Sequence, residues 1–156
     1  MTRWYECVLC AEVTFANDRI AFLTFDEEHH RVALVATTTY APPADVPQVG
    51  FYHAAFTYAS LGDLIATYER LLSGAIAPYR TIHHGPTVSL YYRDPDRNAI
   101  ELQVDAFPDA QSAKRWMSGE TFTRNPIGIV LDMNAYVAAF RAGVPEAALL
   151  RRPDDL

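Results

Sequence analysis

The sequence predicts an α+β fold built from two βαβββ modules, the first lacking its opening strand, followed by a helical C-terminal extension. Three observations predict it. The chain repeats itself: Trp4-Tyr5-Glu6, Ile20 to Asp26 and His30 to Val35 recur as Thr67-Tyr68-Glu69, Val88 to Asp94 and Asn98 to Gln103. The offset between copies is 63 positions from Tyr5 to Tyr68 and 68 from Asp26 to Asp94, which fits an insertion near His83-His84-Gly85-Pro86-Thr87. The second copy opens earlier, with Gly50-Phe51-Tyr52-His53-Ala54-Ala55-Phe56, and the counterpart of that strand in the first copy would fall before Met1. After Asp105 the strand pattern gives way to helix caps and breakers.

The elements follow in order. Trp4 to Leu9 reads as the end of an amphipathic helix, and Glu12 to Phe15 as a short strand. Asn17-Asp18 is a turn, Arg19 to Phe25 a strand rich in β-branched and aromatic residues, and Asp26-Glu27-Glu28 a polar turn. The apolar run in His30 to Thr37 predicts a buried strand. Three prolines stiffen a linker over 41–49. The second module is a strand over 51–57, a helix over 61–73 stopped by Gly74, and strands over 77–82, 87–93 and 99–104. Asp109 caps a helix to about Met117, Ile127 to Leu131 is extended, Asn134 to Ala142 is a helix, and Arg151 to Leu156 is a frayed polar end. The organisation is therefore a truncated first module over 1–40, the linker, a second module over 50–105 and an extension over 106–156.

The totals exclude several classes. The chain has 156 residues, half of them hydrophobic, enough for a sizeable core in one domain. Net charge is −6 and the 13 Lys and Arg are scattered, which argues against nucleic acid or a polybasic membrane patch as partner. No apolar run approaches membrane-spanning length and no secretory leader is evident, so a cytoplasmic protein is expected. Cys7 and Cys10 sit one helical turn apart without a second pair to complete a zinc site, and reduced thiols are the simplest account.

His53 and Glu101 are the first candidates for chemistry. Alternation puts His53 on a face with Phe51 and Ala55, pointing inward. Glu101 interrupts the apolar run Ala99 to Val104, and a carboxylate there is costly unless paired or metal-bound. The first module has Ala33 at the equivalent place, a methyl where its sibling has a charge. A lone His on a sheet is usually a satisfied core histidine; the pair with its internal control brings the ligand reading level with that one. His and carboxylate on adjacent strands suit a divalent metal, and two His with one carboxylate make the facial site of non-haem Fe(II) oxygenases. The His83-His84 loop offers either an acid–base group or a solvated turn, and Tyr91 either a substrate-facing phenol or a core residue. His29-His30, adjacent in a strand, would face opposite ways and are assigned to a turn and strand edge.

Together, the segments Phe25 to Leu34, Gly50 to Tyr58, His84 to Asp96, Ile100 to Asp105 and Asn125-Pro126-Ile127-Gly128 resemble the vicinal oxygen chelate superfamily, which includes glyoxalases, bleomycin-resistance proteins and extradiol dioxygenases. The resemblance is to single-domain members of the extradiol catechol branch. It implies paired βαβββ modules forming a cup-shaped sheet around a metal. It implies His53 and Glu101 as metal ligands, His84 as the acid–base histidine and Tyr91 as the substrate-orienting phenol. The implied activity is Fe(II)-dependent cleavage of a catechol ring, or a degenerate form of it. The implied partner is a small aromatic diol, and a homo-oligomer is expected. The alternatives are a non-catalytic module that binds a small aromatic ligand, and the isomerase or lyase chemistry of the same superfamily. Two departures stand out: the strand carrying the first His ligand has no counterpart here, and Arg97 replaces the usual Gly of the Asp94 to Asn98 turn. The expected metal is Fe(II), with another divalent ion as the alternative, and weak binding is expected from two protein ligands.

Overall fold

A computed structural model of the protein describes residues 1–39, 41 and 49–154. The chain divides into two compact units, residues 1–52 with 93–99, and residues 53–92 with 100–156. Most of the linker expected over 41–49, and the last two residues, lie outside the described residues. Among the described residues no helix is long and apolar enough to cross a membrane.

The first unit holds helix α1 (Thr2–Leu9) and strands β1 (Glu12–Ala16), β2 (Ile20–Thr24) and β3 (Val32–Val35). The strands form an antiparallel sheet in the order β1-β2-β3. Tyr5 and Val8 bury one face of α1, and Cys10 closes the helix at φ 52, as a left-handed cap. Asn17 makes the predicted turn, its side chain accepting from the backbone N–H groups of Arg19 and Ile20. The strand expected to be buried over 30–37 is shorter and only half-covered: Val32 and Leu34 are partly buried, while Ala33 and Val35 are exposed. The physical reason is that, among the described residues, β3 is an edge strand paired with β2 alone. His29 and His30 precede it in the turn, so strand alternation does not apply and their rings stack, centroids 4.4 Å apart. The Asp94 to Asn98 turn belongs to this unit. The Asp94 carboxylate accepts from Tyr5 Oη (3.0 Å) and from the backbone of Asp96 and Asn98, and Arg97 sits at φ 67, the conformation its usual Gly would favour.

The second unit is the βαβββ module, in the predicted order: β4 (Ala54–Tyr58), α2 (Leu61–Ser73), β5 (Arg80–His83), β6 (Thr87–Arg93) and β7 (Ala99–Asp105). The extension follows with α3 (Ala110–Met117), α4 (Glu120–Arg124), β8 (Ile129–Val130), α5 (Met133–Arg141) and α6 (Glu146–Leu149). The sheet runs β4-β7-β6-β5-β8, with β4 parallel to β7 and β8 antiparallel to β5, so the extension adds a strand to the module's edge. α2 forms because Ser60 caps it, accepting from the Asp63 N–H, and because Leu61, Leu64, Ile65, Tyr68 and Leu71 make one buried stripe. At its far end Gly74 is the cap, but the left-handed residue is Ala75, at φ 61. α4 and α6 were not foreseen. Each is a single turn too short for a periodic signal, and α6 is used as a cap, Glu146 accepting from the Leu61 N–H at 2.8 Å. Along β6 and β7, Val88, Leu90 and Tyr92, with Ile100, Leu102 and Val104, bury one set of alternating side chains. Ser89, Tyr91 and Glu101 project from the other face, where the chemistry-bearing residues gather.

Candidate active site

Glu101 lies in the middle of β7, next to Ala55 of the parallel strand β4. Its carboxylate is 5% exposed and fully engaged: Oε2 is 2.8 Å from His53 Nε2, and Oε1 accepts from the Tyr91 hydroxyl at 2.8 Å. The Tyr91 oxygen in turn lies 2.8 Å from His84 Nε2. His84, Tyr91, Glu101 and His53 are therefore one unbroken row of polar contacts, and the structure brings all four predicted residues together. The rings of His53 and His84 both meet Tyr91 edge-on, at centroid separations of 5.6 Å and 6.0 Å.

Each position follows from local structure. Tyr91 and Glu101 come from neighbouring strands and the same sheet face. His53 differs from expectation: the strand begins at Ala54, and Phe51 is 87% exposed rather than sharing an inward face with it. His53 reaches Glu101 from the residue just before β4, with 26% of its side chain exposed. The insertion His83-His84-Gly85-Pro86 is no solvated loop. His83 ends β5 and is fully buried, and its Nδ1 accepts from the Gly85 N–H. Burial pushes the His83 imidazole down to about 4, so it is a neutral packing residue. His84 makes the turn, its N–H donating to the Thr87 carbonyl. Burial also lowers the pKa of His84, against the pull of the Glu101 charge and a hydrogen bond to the Ile127 backbone; Arg80 and His53 act with burial.

The extension supplies what the sequence did not reveal. Gly128, at φ 97, lies so close that a Cβ there would fall 2.3 Å from the His83 carbonyl and 2.7 Å from His84 Cα. Gly85, at φ 105, has the Trp116 ring where its Cβ would be. The end expected to fray carries Arg152, which is 2% exposed and donates to the carbonyls of His84 and Asn125 (2.9 Å each) and Thr121 (3.2 Å). A terminal arginine gives no sequence signal of burial, whereas the Gly-Pro pair at 85–86 did mark a special backbone.

Comparison with known proteins shows the family of the chain. The model of the Glyoxalase/Bleomycin resistance protein/Dioxygenase superfamily matches residues 1–102. The chain is 46% identical over 153 residues to the biphenyl-2,3-diol 1,2-dioxygenase 3 of Rhodococcus globerulus, a match covering 97% of this chain and 80% of that protein. It is 43% identical over 145 residues to the biphenyl-2,3-diol 1,2-dioxygenase 2 of the same organism, covering 93% and 76%. Among solved structures, the lactoylglutathione lyase of Agrobacterium tumefaciens matches 66% of this chain and 81% of its own at a TM-score of 0.50 and 17% identity, a likeness of fold alone.

Proposed function

We propose, from the premise that this chain belongs to the Glyoxalase/Bleomycin resistance protein/Dioxygenase superfamily, that it is an extradiol-type dioxygenase opening the ring of a small aromatic vicinal diol. Two relatives are named for that reaction on biphenyl-2,3-diol. The observation in this chain that supports the reading most is the hydrogen-bonded row from His84 through Tyr91 and Glu101 to His53. The reaction balances without an external reductant: the carbon–carbon bond beside the diol breaks, and both atoms of O2 end in the product.

His53 Nε2 and Glu101 Oε2, 2.8 Å apart, are a nitrogen and an oxygen donor of the kind a divalent transition metal takes as neighbouring ligands. We assign them as ligands and Fe(II) as the ion, with another divalent metal as the alternative. Bound there, the ion would supply one coordination sphere in which diol and O2 are oriented together. Among the described residues no group of three His, Cys, Asp or Glu side chains is placed to hold an ion, so we infer weak binding completed by water and by the diol itself.

The remaining work falls to His84 and Tyr91. With its pKa lowered, His84 is neutral at pH 7 and is the base form of the pair. It donates to the Ile127 backbone, which leaves Nε2 as the nitrogen that accepts on the Tyr91 side. Tyr91 has one proton between two acceptors, Glu101 Oε1 and His84 Nε2. A proton leaving the diol is thus taken up at His84 Nε2, directly or through the phenol, and returned to the ring-opened product. A second reading is a module that binds a small aromatic diol without turnover; the two-residue ligand set favours it.

The test is the purified chain, loaded anaerobically with Fe(II), mixed with oxygenated catechol or biphenyl-2,3-diol. The yellow ring-opened product should accumulate, and His84→Gln should slow it by about a hundredfold or more. Diol binding without product, in iron-loaded protein, would reject the dioxygenase reading in favour of the binding module.

A further inference from the structure

We propose that Arg152 is a positioning residue for His84, a role that rests on reading His84 as the acid–base group. The observations concern the peptide of His84 rather than its ring. Its carbonyl accepts from Arg152 Nη1 at 2.9 Å and its N–H donates to the Thr87 carbonyl at 2.9 Å. Gly128 lies against its Cα, and the Trp116 ring against Gly85. The same guanidinium reaches the carbonyls of Asn125 and Thr121, in the segment closing α4, and its carbon lies 5.1 Å from the centre of the Trp116 ring. It is oriented from outside by Asp154, at 2.5 Å and 3.0 Å.

This arrangement has a specific consequence. A histidine in a turn takes its aim from the backbone, because a single methylene, Cβ, separates the ring from Cα. Here the turn is flanked by Gly85 and built against Gly128, neither of which has a side chain to stiffen it. Arg152 replaces that stiffness with a planar fork of donors joining the His84 carbonyl to two carbonyls of the α4 segment, Thr121 and Asn125. A lysine has the charge but a point-like head, and it cannot meet all three in their fixed directions. The 2.8 Å contact of His84 Nε2 with Tyr91 then depends on a residue that never approaches the diol.

The experiment compares Arg152→Lys with the parent and with Arg151→Ala, which removes the adjacent exposed charge. In the iron-loaded enzyme, kcat should fall about tenfold or more in Arg152→Lys while KM stays within about twofold. Arg151→Ala should change neither by more than about twofold. A readout independent of turnover is the imidazole NMR signal set at fixed pH: the His84 signals should move in Arg152→Lys and those of His53 should not. Unchanged kcat together with unmoved His84 signals would overturn the proposal. If the parent shows no ring cleavage, moved His84 signals still support the positioning role, and only the dioxygenase reading falls. Should Arg152→Lys fail to fold, Asp154→Asn loosens the guanidinium from its exposed side. It should shift the His84 signals in the same direction, and identical spectra would overturn the idea.

Discussion

Tyr91 has one proton and two neighbours able to take it, and the chemistry of the site follows from that shortage. Removing the hydroxyl disconnects His84 from Glu101 while leaving the ring's packing intact. Tyr91→Phe should therefore lower kcat by about a hundredfold, the usual scale of an acid–base contribution, and cost only about 1 kcal/mol of stability. Steady-state kinetics beside urea unfolding separates the two. His83 is the opposite kind of histidine. Its folded-state pKa of about 4 lies below the ordinary imidazole value of 6.5, so the unfolded chain takes up the proton first as pH falls. The stability it gives is complete above about pH 6.5 and is lost as pH falls towards 4, a change of roughly 3 kcal/mol. Urea midpoints across that window should show the slope, and His83→Gln should flatten it. Arg97 was suspect from sequence alone because it stands where Gly is usual, and its φ of 67 bears that out. Arg97→Gly should raise stability by about 1 kcal/mol, read as a higher urea midpoint, without altering kcat. Of the four clustered residues, Glu101 was singled out by its Ala33 counterpart and by the need of a carboxylate in an apolar strand for partners; His53 lies just before β4 rather than in it, and the roles of His84 and Tyr91 were implied by the resemblance alone. Arg152 was not legible, since its burial depends on the carbonyls of His84, Thr121 and Asn125, all far from it along the chain.

At the scale of elements, sequence reading was best where one local device fixes a boundary. Helix α2 runs over the expected 61–73 because Ser60 caps it and a five-residue apolar stripe fixes its face. Strand ends were less legible: β4 starts at Ala54 rather than Phe51, and β5 at Arg80 rather than 77, because pairing with β7 and β6 decides them. The turn between β5 and β6 shows how the extension controls the module. Gly128 lets two backbones touch, and its φ of 97 is one that L side chains rarely adopt. Gly128→Ala drives a Cβ into the His83 carbonyl and should cost about 2–3 kcal/mol. The fall in kcat should exceed any loss of folded protein, since His84 Cα is the next atom displaced. Thermal melts and kinetics at a temperature where the variant is fully folded make the check.

At the scale of the whole chain, the repeat made the architecture legible: the second module has the βαβββ order, and the first has its helix and three strands. The extension was legible as helical, but its return to the β5 edge and to His84 was not, because neither rests on a periodic pattern. The same view of the chain sets an expectation for the metal. An ion that binds the folded site and not the unfolded chain stabilises the whole protein by mass action, whatever the rate of turnover. On the proposed reading of His53 and Glu101 as its two protein ligands, binding should be weak, so the shift should keep growing as Fe(II) is raised rather than saturate at one equivalent. At a free concentration about tenfold above Kd the gain is about 1.4 kcal/mol, or roughly 3–6 °C in Tm for a chain of this length. Anaerobic melts across an Fe(II) series measure it, and His53→Ala and Glu101→Ala should each abolish the shift. A shift that saturates at one equivalent and vanishes in both variants would mean a further ligand completes the site. A shift that survives both would place the ion elsewhere.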